Sequence, residues 1–164
     1  LEIDRYALAL TRELQESCRA DYDRYEFHRV VQALQTFCSE DLGGFYLDIL
    51  KDRLYTTAPK SAARRSAQSA LWHITQSFVR LLAPITSFTA EEVWQVLTGN
   101  ADDSVMFQVW HDLPKPEGEG EMLAKWALIR AARAEIAAAS ARRASARLTC
   151  GTRSSRRRPL RSRR

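Results

Sequence analysis

The chain has 164 residues, 45% of them apolar, enough for one domain with a real core or for one domain and a tail. Its net charge of +5 is unevenly held: residues 1–140 carry 15 Lys and Arg against 20 acids, whereas residues 141–164 carry 10 Arg and no acid. The first stretch nets −5 and the second +10, so the basic balance belongs to the tail, and overall charge is no argument for nucleic-acid binding by the rest.

The longest purely apolar runs are four or five residues, too short to span a bilayer. Glu2 and Asp4 stand where a secretion signal would carry basic residues. Leu1 in place of an initiating Met, with helical periodicity already running from Ile3, predicts a start cut from a longer chain. Cys18, Cys38 and Cys150 form no CxxC pair, which argues against a disulfide framework or a zinc knuckle and for a cytosolic, cytoplasmic setting.

In chain order, Ile3, Tyr6, Ala7, Leu10 and Leu14 repeat at helical spacing and predict a first helix to about Cys18, with a polar break over Asp21 to Tyr25. Phe27, Val30, Val31, Leu34, Phe37 and Cys38 mark the apolar stripe of a second, on which Cys38 is expected as a small buried hydrophobe. Gly43-Gly44 predicts a bend or kink, after which Phe45, Ile49, Leu50 and Leu54 resume the pattern up to Pro59. Ser61 is a good cap for a helix to about Ala83, carrying Ala67, Leu71, Ile74, Phe78, Leu81 and Leu82 on one face, and Pro84 stops it. Thr89 and Glu92 have the spacing of a capping box before Val93, Trp94 and Leu97, with Trp94 expected in the core and Gly99-Asn100 as the stop. Val105 to Trp110 reads as a short extended segment in a loop-rich stretch, and a last helix is expected from about Glu119 to Ala139. The fold class is therefore all-α, a bundle of four to five helices over residues 1–100, then a loop and helix over 101–140.

Residues 141–164 are Arg, Ser, Ala and Thr with Leu148 and Leu160 as the large aliphatics, a composition that predicts a disordered basic tail. Arg outnumbers Lys by 21 to 4 across the chain, as a GC-rich gene would give. Such a gene read out of frame yields this Arg/Ser/Ala/Pro mixture, so the tail is either out-of-frame sequence or a genuine basic RNA-binding arm. Sequencing the surrounding DNA separates the two.

Two segments carry a family likeness: Phe45-Tyr-Leu-Asp-Ile-Leu-Lys-Asp-Arg-Leu-Tyr55 and Leu82-Ala-Pro-Ile-Thr-Ser-Phe-Thr-Ala-Glu-Glu-Val-Trp94. With Tyr25 to Val31 and Phe37 to Gly43, they resemble the helical anticodon-binding domain of bacterial isoleucyl-tRNA synthetases, class Ia aminoacyl-tRNA synthetases. The likeness covers roughly residues 1–137. It implies a piece of an isoleucine–tRNA ligase, a monomer whose full chain uses ATP and Mg outside this piece. The implied partners are the anticodon stem-loop of tRNA(Ile) and the remainder of the synthetase. The signatures His-Ile-Gly-His and Lys-Met-Ser-Lys-Ser of class I active sites are absent, and His73-Ile74-Thr75 is a chance partial match. This stretch alone is therefore expected to catalyse nothing and to hold no cofactor or metal.

Reading a single-stranded loop requires cations for phosphates and flat side chains for splayed bases. Lys51, Arg53 and Tyr55 provide these within about one helical turn, Arg64 and Arg65 extend the basic edge, and Trp72 lies just off the apolar stripe of its helix. The plainer alternative pairs these cations with Asp48 and Asp52 on a solvated face. His28, His73 and His111 have no metal-ligand spacing. Rival readings of the whole are a free-standing RNA-binding protein that uses its Arg tail, and a helical protein-interaction module suited to the acidic first 140 residues.

Overall fold

A computed structural model describes residues 1–115 and 117–154, and side chains as far as Arg143. Its regular structure among these residues is entirely helical: α1 (Glu2–Asp23), α2 (Phe27–Thr36), a π-helical segment (Phe37–Leu47), α3 (Asp48–Thr56), α4 (Ala62–Leu82), α5 (Ser87–Thr98), a 3-10 turn (Val105–Phe107) and α6 (Glu119–Ser154). The chain divides into a unit of Leu1–Glu119, which holds α1 to α5, and a second that begins at Gly120. The five-helix first unit matches the bundle expected from periodicity.

Asp4, Ala7, Thr11, Leu14 and Cys18 alternate at three and four residues along α1, and all are buried where this helix packs on α2 and α4. Tyr6 meets the edge of Phe45 at 6.1 Å, and Tyr46, Leu50, Ile74 and Leu81 complete this part of the core. Buried polar groups are paired: the Thr11 hydroxyl donates to the Ala7 carbonyl at 2.8 Å, and the Ser77 hydroxyl to Gln15 Oε1 at 2.7 Å. Val79, Ala83, Ala90, Trp94 and Val105 form a further cluster under α5, so Trp94 is core as expected.

Ser61 caps α4 by accepting from the Arg64 amide at 3.2 Å, and Gly99 ends α5 in the left-handed conformation at φ +66°. Several local expectations are overturned. Gly43-Gly44 does not interrupt the helix. The helix continues from Phe27 to Thr56 and widens to π geometry over Phe37–Leu47. A Cβ on Gly43 would sit 3.0 Å from the Cys38 carbonyl oxygen, and one on Gly44 3.1 Å from that of Ser39, five residues back in each case. Cys38 is exposed because the core face of α2 is narrower than the apolar stripe: Val30, Leu34 and Phe37 are buried, and Phe27 and Cys38 flank them. The thiol buried in the core is instead Cys18, whose pKa burial pushes up to about 11.

α5 starts at Ser87, so Thr89 lies inside its first turn and no capping box forms with Glu92. Val105–Phe107 is a 3-10 turn, not an extended segment, with the Ser104 hydroxyl accepting from the Met106 amide at 3.2 Å. α6 runs on to Ser154, past the end expected at Ala139, because Ala and Arg are strong helix formers even without an apolar stripe. Residues 155–164 of the expected basic tail lie outside the described residues.

Candidate nucleic-acid interface

The corner between α3 and α4 concentrates positive charge: residues 51–65 hold Lys51, Arg53, Lys60, Arg64 and Arg65 against the single acid Asp52. Pro59 ends one helix and Ser61 caps the next, so a tight turn brings the C-terminal end of α3 against the start of α4. Arg53 Nη2 donates to the Ala63 carbonyl at 2.7 Å, and Arg64 Nη1 reaches the Thr57 carbonyl at 3.4 Å, so the two helix ends are tied together.

Helical geometry splits the predicted trio. Lys51 and Tyr55 are four residues apart and share the outer face of α3, whereas Arg53, two residues from each, turns inward. Its guanidinium forks onto buried Asp4 of α1, Nη1 to Oδ1 at 3.1 Å and Nη2 to Oδ2 at 2.9 Å. The same carboxylate accepts from the Tyr46 hydroxyl at 3.0 Å and the Ser66 hydroxyl at 2.6 Å. Burial alone would raise the Asp4 pKa, but the hydrogen bonds from Arg53, Ser66 and Tyr46 outweigh it and hold the carboxyl below its ordinary value. Burial, with the Asp4 charge beside it, drives the Tyr46 phenol far upward, so it stays a donor. Arg53 is thus a cross-link between α1, α3 and α4, not a cation offered to solvent.

Lys51 is exposed and bonds Asp48 Oδ1 at 2.8 Å, a hydrogen bond that raises its pKa. The pair is solvated on both sides, so an incoming phosphate competes with Asp48 at small cost. Tyr55 is 87% exposed. Arg65 is exposed and Arg64 half-buried. Seven residues, two turns or about 10 Å, beyond Arg65 on the same face of α4 stands Trp72, 49% exposed. Lys51 and Tyr55 thus share an outward face of α3, and Arg65 and Trp72 an outward face of α4.

Trp72 is steadied by two imidazoles, edge-on to His73 at 4.9 Å and to His111 at 5.5 Å. His73 Nδ1 and His111 Nε2 are 2.9 Å apart, and burial, followed by Arg80 and His73, holds His111 below its ordinary pKa. The His111 carbonyl accepts from Gln15 Nε2 at 2.8 Å, tying the loop before α6 to α1. This pairing joins residues 38 apart and has no spacing signal. Asp4, in contrast, was detectable: an acid on the repeat that continues through Ala7, Thr11, Leu14 and Cys18 calls for a buried cation.

Among the described residues no group of three His, Cys, Asp or Glu is placed to hold a metal ion, and the buried carboxylates of Asp4 and Asp21 are engaged by Arg53 and by Arg24, the latter at 2.6 Å. No described helix is long and apolar enough to cross a membrane.

The chain is similar to known proteins along most of its length. Residues 4–148 match the family described as the anticodon-binding domain of tRNA ligase. An isoleucine–tRNA ligase of Dechloromonas aromatica (strain RCB) is 88% identical over 136 residues, covering 83% of this chain and 15% of that protein. The isoleucine–tRNA ligase of Azoarcus sp. (strain BH72) is 65% identical over 135 residues, 82% of this chain and 14% of that protein. That of Neisseria meningitidis serogroup A (strain DSM 15465 / Z2491) is 57% identical over 142 residues. The chain thus spans about 15% of the length of the curated relatives it matches. A helical bundle matched along most of its length to one family leaves a plain conclusion: the chain belongs to the anticodon-binding domains of tRNA ligases.

Proposed function

We propose that this chain is the part of an isoleucine–tRNA ligase that docks the anticodon stem-loop of tRNA(Ile), with Lys51, Tyr55, Arg65 and Trp72 as the contact set and Arg64 at its edge. The observation that carries this reading is the α3–α4 corner, where exposed cations and exposed flat side chains occur together on a domain of the anticodon-binding family. The cations would neutralise phosphates, and Tyr55 and Trp72 would stack on unpaired bases. Arg53 serves as a positioning residue that holds α3 against α1 and α4. ATP and Mg²⁺ would act in the rest of a monomeric, cytoplasmic ligase, where isoleucine is activated and joined to tRNA. This piece would contribute selectivity by binding alone.

A second reading is favoured by the 10 Arg of residues 141–164, which would give sequence-blind, salt-sensitive RNA affinity. One experiment separates the two. The chain, with those arginines changed to Gln, is titrated with a tRNA(Ile) transcript and with the same transcript carrying a foreign anticodon. The anticodon reading expects a retained preference for the cognate transcript. Loss of all binding with the tail arginines would replace it with the tail reading.

A further inference from the structure

On the opposite side of the sequence from the basic corner lies a surface of different chemistry. Residues 81–114 contain no Lys or Arg and five acids. Within them Phe88, Val96, Phe107 and Val109 are 82–89% exposed, and Met106 is half exposed. These side chains belong to α5, to the 3-10 turn and, for Val109, to the loop after it, and the turn is held to α5: Glu91 of α5 accepts from the Ser104 hydroxyl at 2.8 Å and from the Val105 amide at 3.1 Å. Asp103 adds a second clamp, accepting from Trp94 Nε1 at 3.2 Å and from Gln108 Nε2 at 2.9 Å. Phe88 is one turn before Glu91, so the 3-10 turn that carries Met106 and Phe107 is fixed beside it.

Val105 anchors the turn in the core and its polar groups are tied down against α5, while Met106, Phe107 and Val109 face water. A clustered apolar surface of this kind marks an interaction site. RNA is a poor occupant, since five acids and no cation repel phosphate. A second copy in a two-fold pair would set the acids of one patch against those of the other. The relatives, by contrast, extend far beyond the matched 14–15% of their length.

We propose that the exposed face of α5 and the 105–109 turn is the seat of a neighbouring domain of the longer ligase chain, which meets it with apolar side chains flanked by Lys or Arg. The inference rests on the reading of this chain as part of an isoleucine–tRNA ligase. Arg80, whose guanidinium lies over the buried Trp94 ring 4.6 Å from the centroid, offsets the charge of Asp103 from within, and Glu92 and Asp102 remain as acids of the exposed stretch.

Hydroxyl-radical footprinting, which reads side-chain exposure, tests the proposal. The 164-residue chain is compared with the Dechloromonas ligase in which the matched segment is replaced by this sequence, each with and without tRNA. Phe88, Met106 and Phe107 are expected to lose most of their oxidation in the ligase whether or not tRNA is present. Equal oxidation in the two proteins would overturn the proposal. So would protection that appears only with tRNA, or protection of the isolated chain as its concentration rises, which would assign the surface to RNA or to a second copy. Tyr55 reports separately on the anticodon reading, since that reading expects its protection only when tRNA is added. The native Dechloromonas ligase, footprinted at the matched positions, gives the same answer if the replacement does not fold.

Discussion

The α3–α4 corner and the α5 edge are built from the same kind of helix and loop yet present opposite chemistries. Residues 51–65 carry five cations and one acid, and residues 81–114 carry five acids and no cation. The exposed aromatics Tyr55 and Trp72 belong to α3 and α4, which carry the cations of the corner; the exposed Phe88 and Phe107 belong to a stretch whose charged residues are all acids. The contrast teaches that exposed aromatics do not identify a partner by themselves. The charge around them does, because a nucleic acid needs phosphate neutralisation before stacking can select a base. It also shows why the net charge of the domain is a poor guide: −5 over residues 1–140 conceals stretches of opposite sign.

The largest expected effects ask whether each region separates scaffold from contact. Asp4→Ala, which takes from the Arg53 guanidinium its carboxylate partner, is expected to lower unfolding free energy by about 3–5 kcal/mol in urea titration, and Arg53→Ala by less, because the Leu1 ammonium at 3.2 Å still faces Asp4. Lys51→Ala, two residues from Arg53, is expected to change stability by less than about 0.5 kcal/mol. The same test on α5 sets Trp94→Ala, a cavity costing about 3–5 kcal/mol, against Phe88→Ala, within about 0.5 kcal/mol of the parent. A large stability loss in Lys51→Ala or Phe88→Ala would break the division.

Binding effects are smaller. Tyr55→Ala is expected to weaken tRNA affinity by about 1–3 kcal/mol, as loss of one stacked base does, while Phe107→Ala leaves affinity unchanged in the same filter-binding titration. Lys51→Ala is expected to reduce the slope of log affinity against log salt by about one unit, with little dependence on the anticodon. The smallest effect is on pH. Because the Asp4 carboxyl is held below its ordinary value, its ionised form stabilises the fold above the unfolded-state pKa. That contribution is lost as pH falls through the folded-state value. Urea midpoints followed from neutral to acid pH are expected to fall less steeply in Asp4→Asn than in the parent.

Most helices were legible because their apolar residues recur at 3.6 spacing and their ends carry local chemistry, as at Ser61, Pro59 and Gly99. The π-helical stretch was not, since two adjacent glycines signal close backbone approach without saying whether the chain bends or widens. Cys38 misled for a related reason: periodicity locates an apolar stripe, and the packing neighbour decides how much of it is covered. In the candidate site, the shared face of Lys51 and Tyr55 follows from their four-residue spacing. The inward turn of Arg53 depends on Asp4, 49 residues earlier, and the loop anchored by Glu91 depends on Ser104, 13 residues later. Such pairings are made by tertiary packing, which local pattern does not encode.

The most direct test of the two-surface account is to cross-link the chain to tRNA(Ile) by ultraviolet light and map the joined peptides by mass spectrometry. The account predicts adducts at Tyr55 and Trp72 and none between residues 85 and 110. Adducts concentrated on Phe88 or Phe107, with the α3–α4 corner clean, would contradict it.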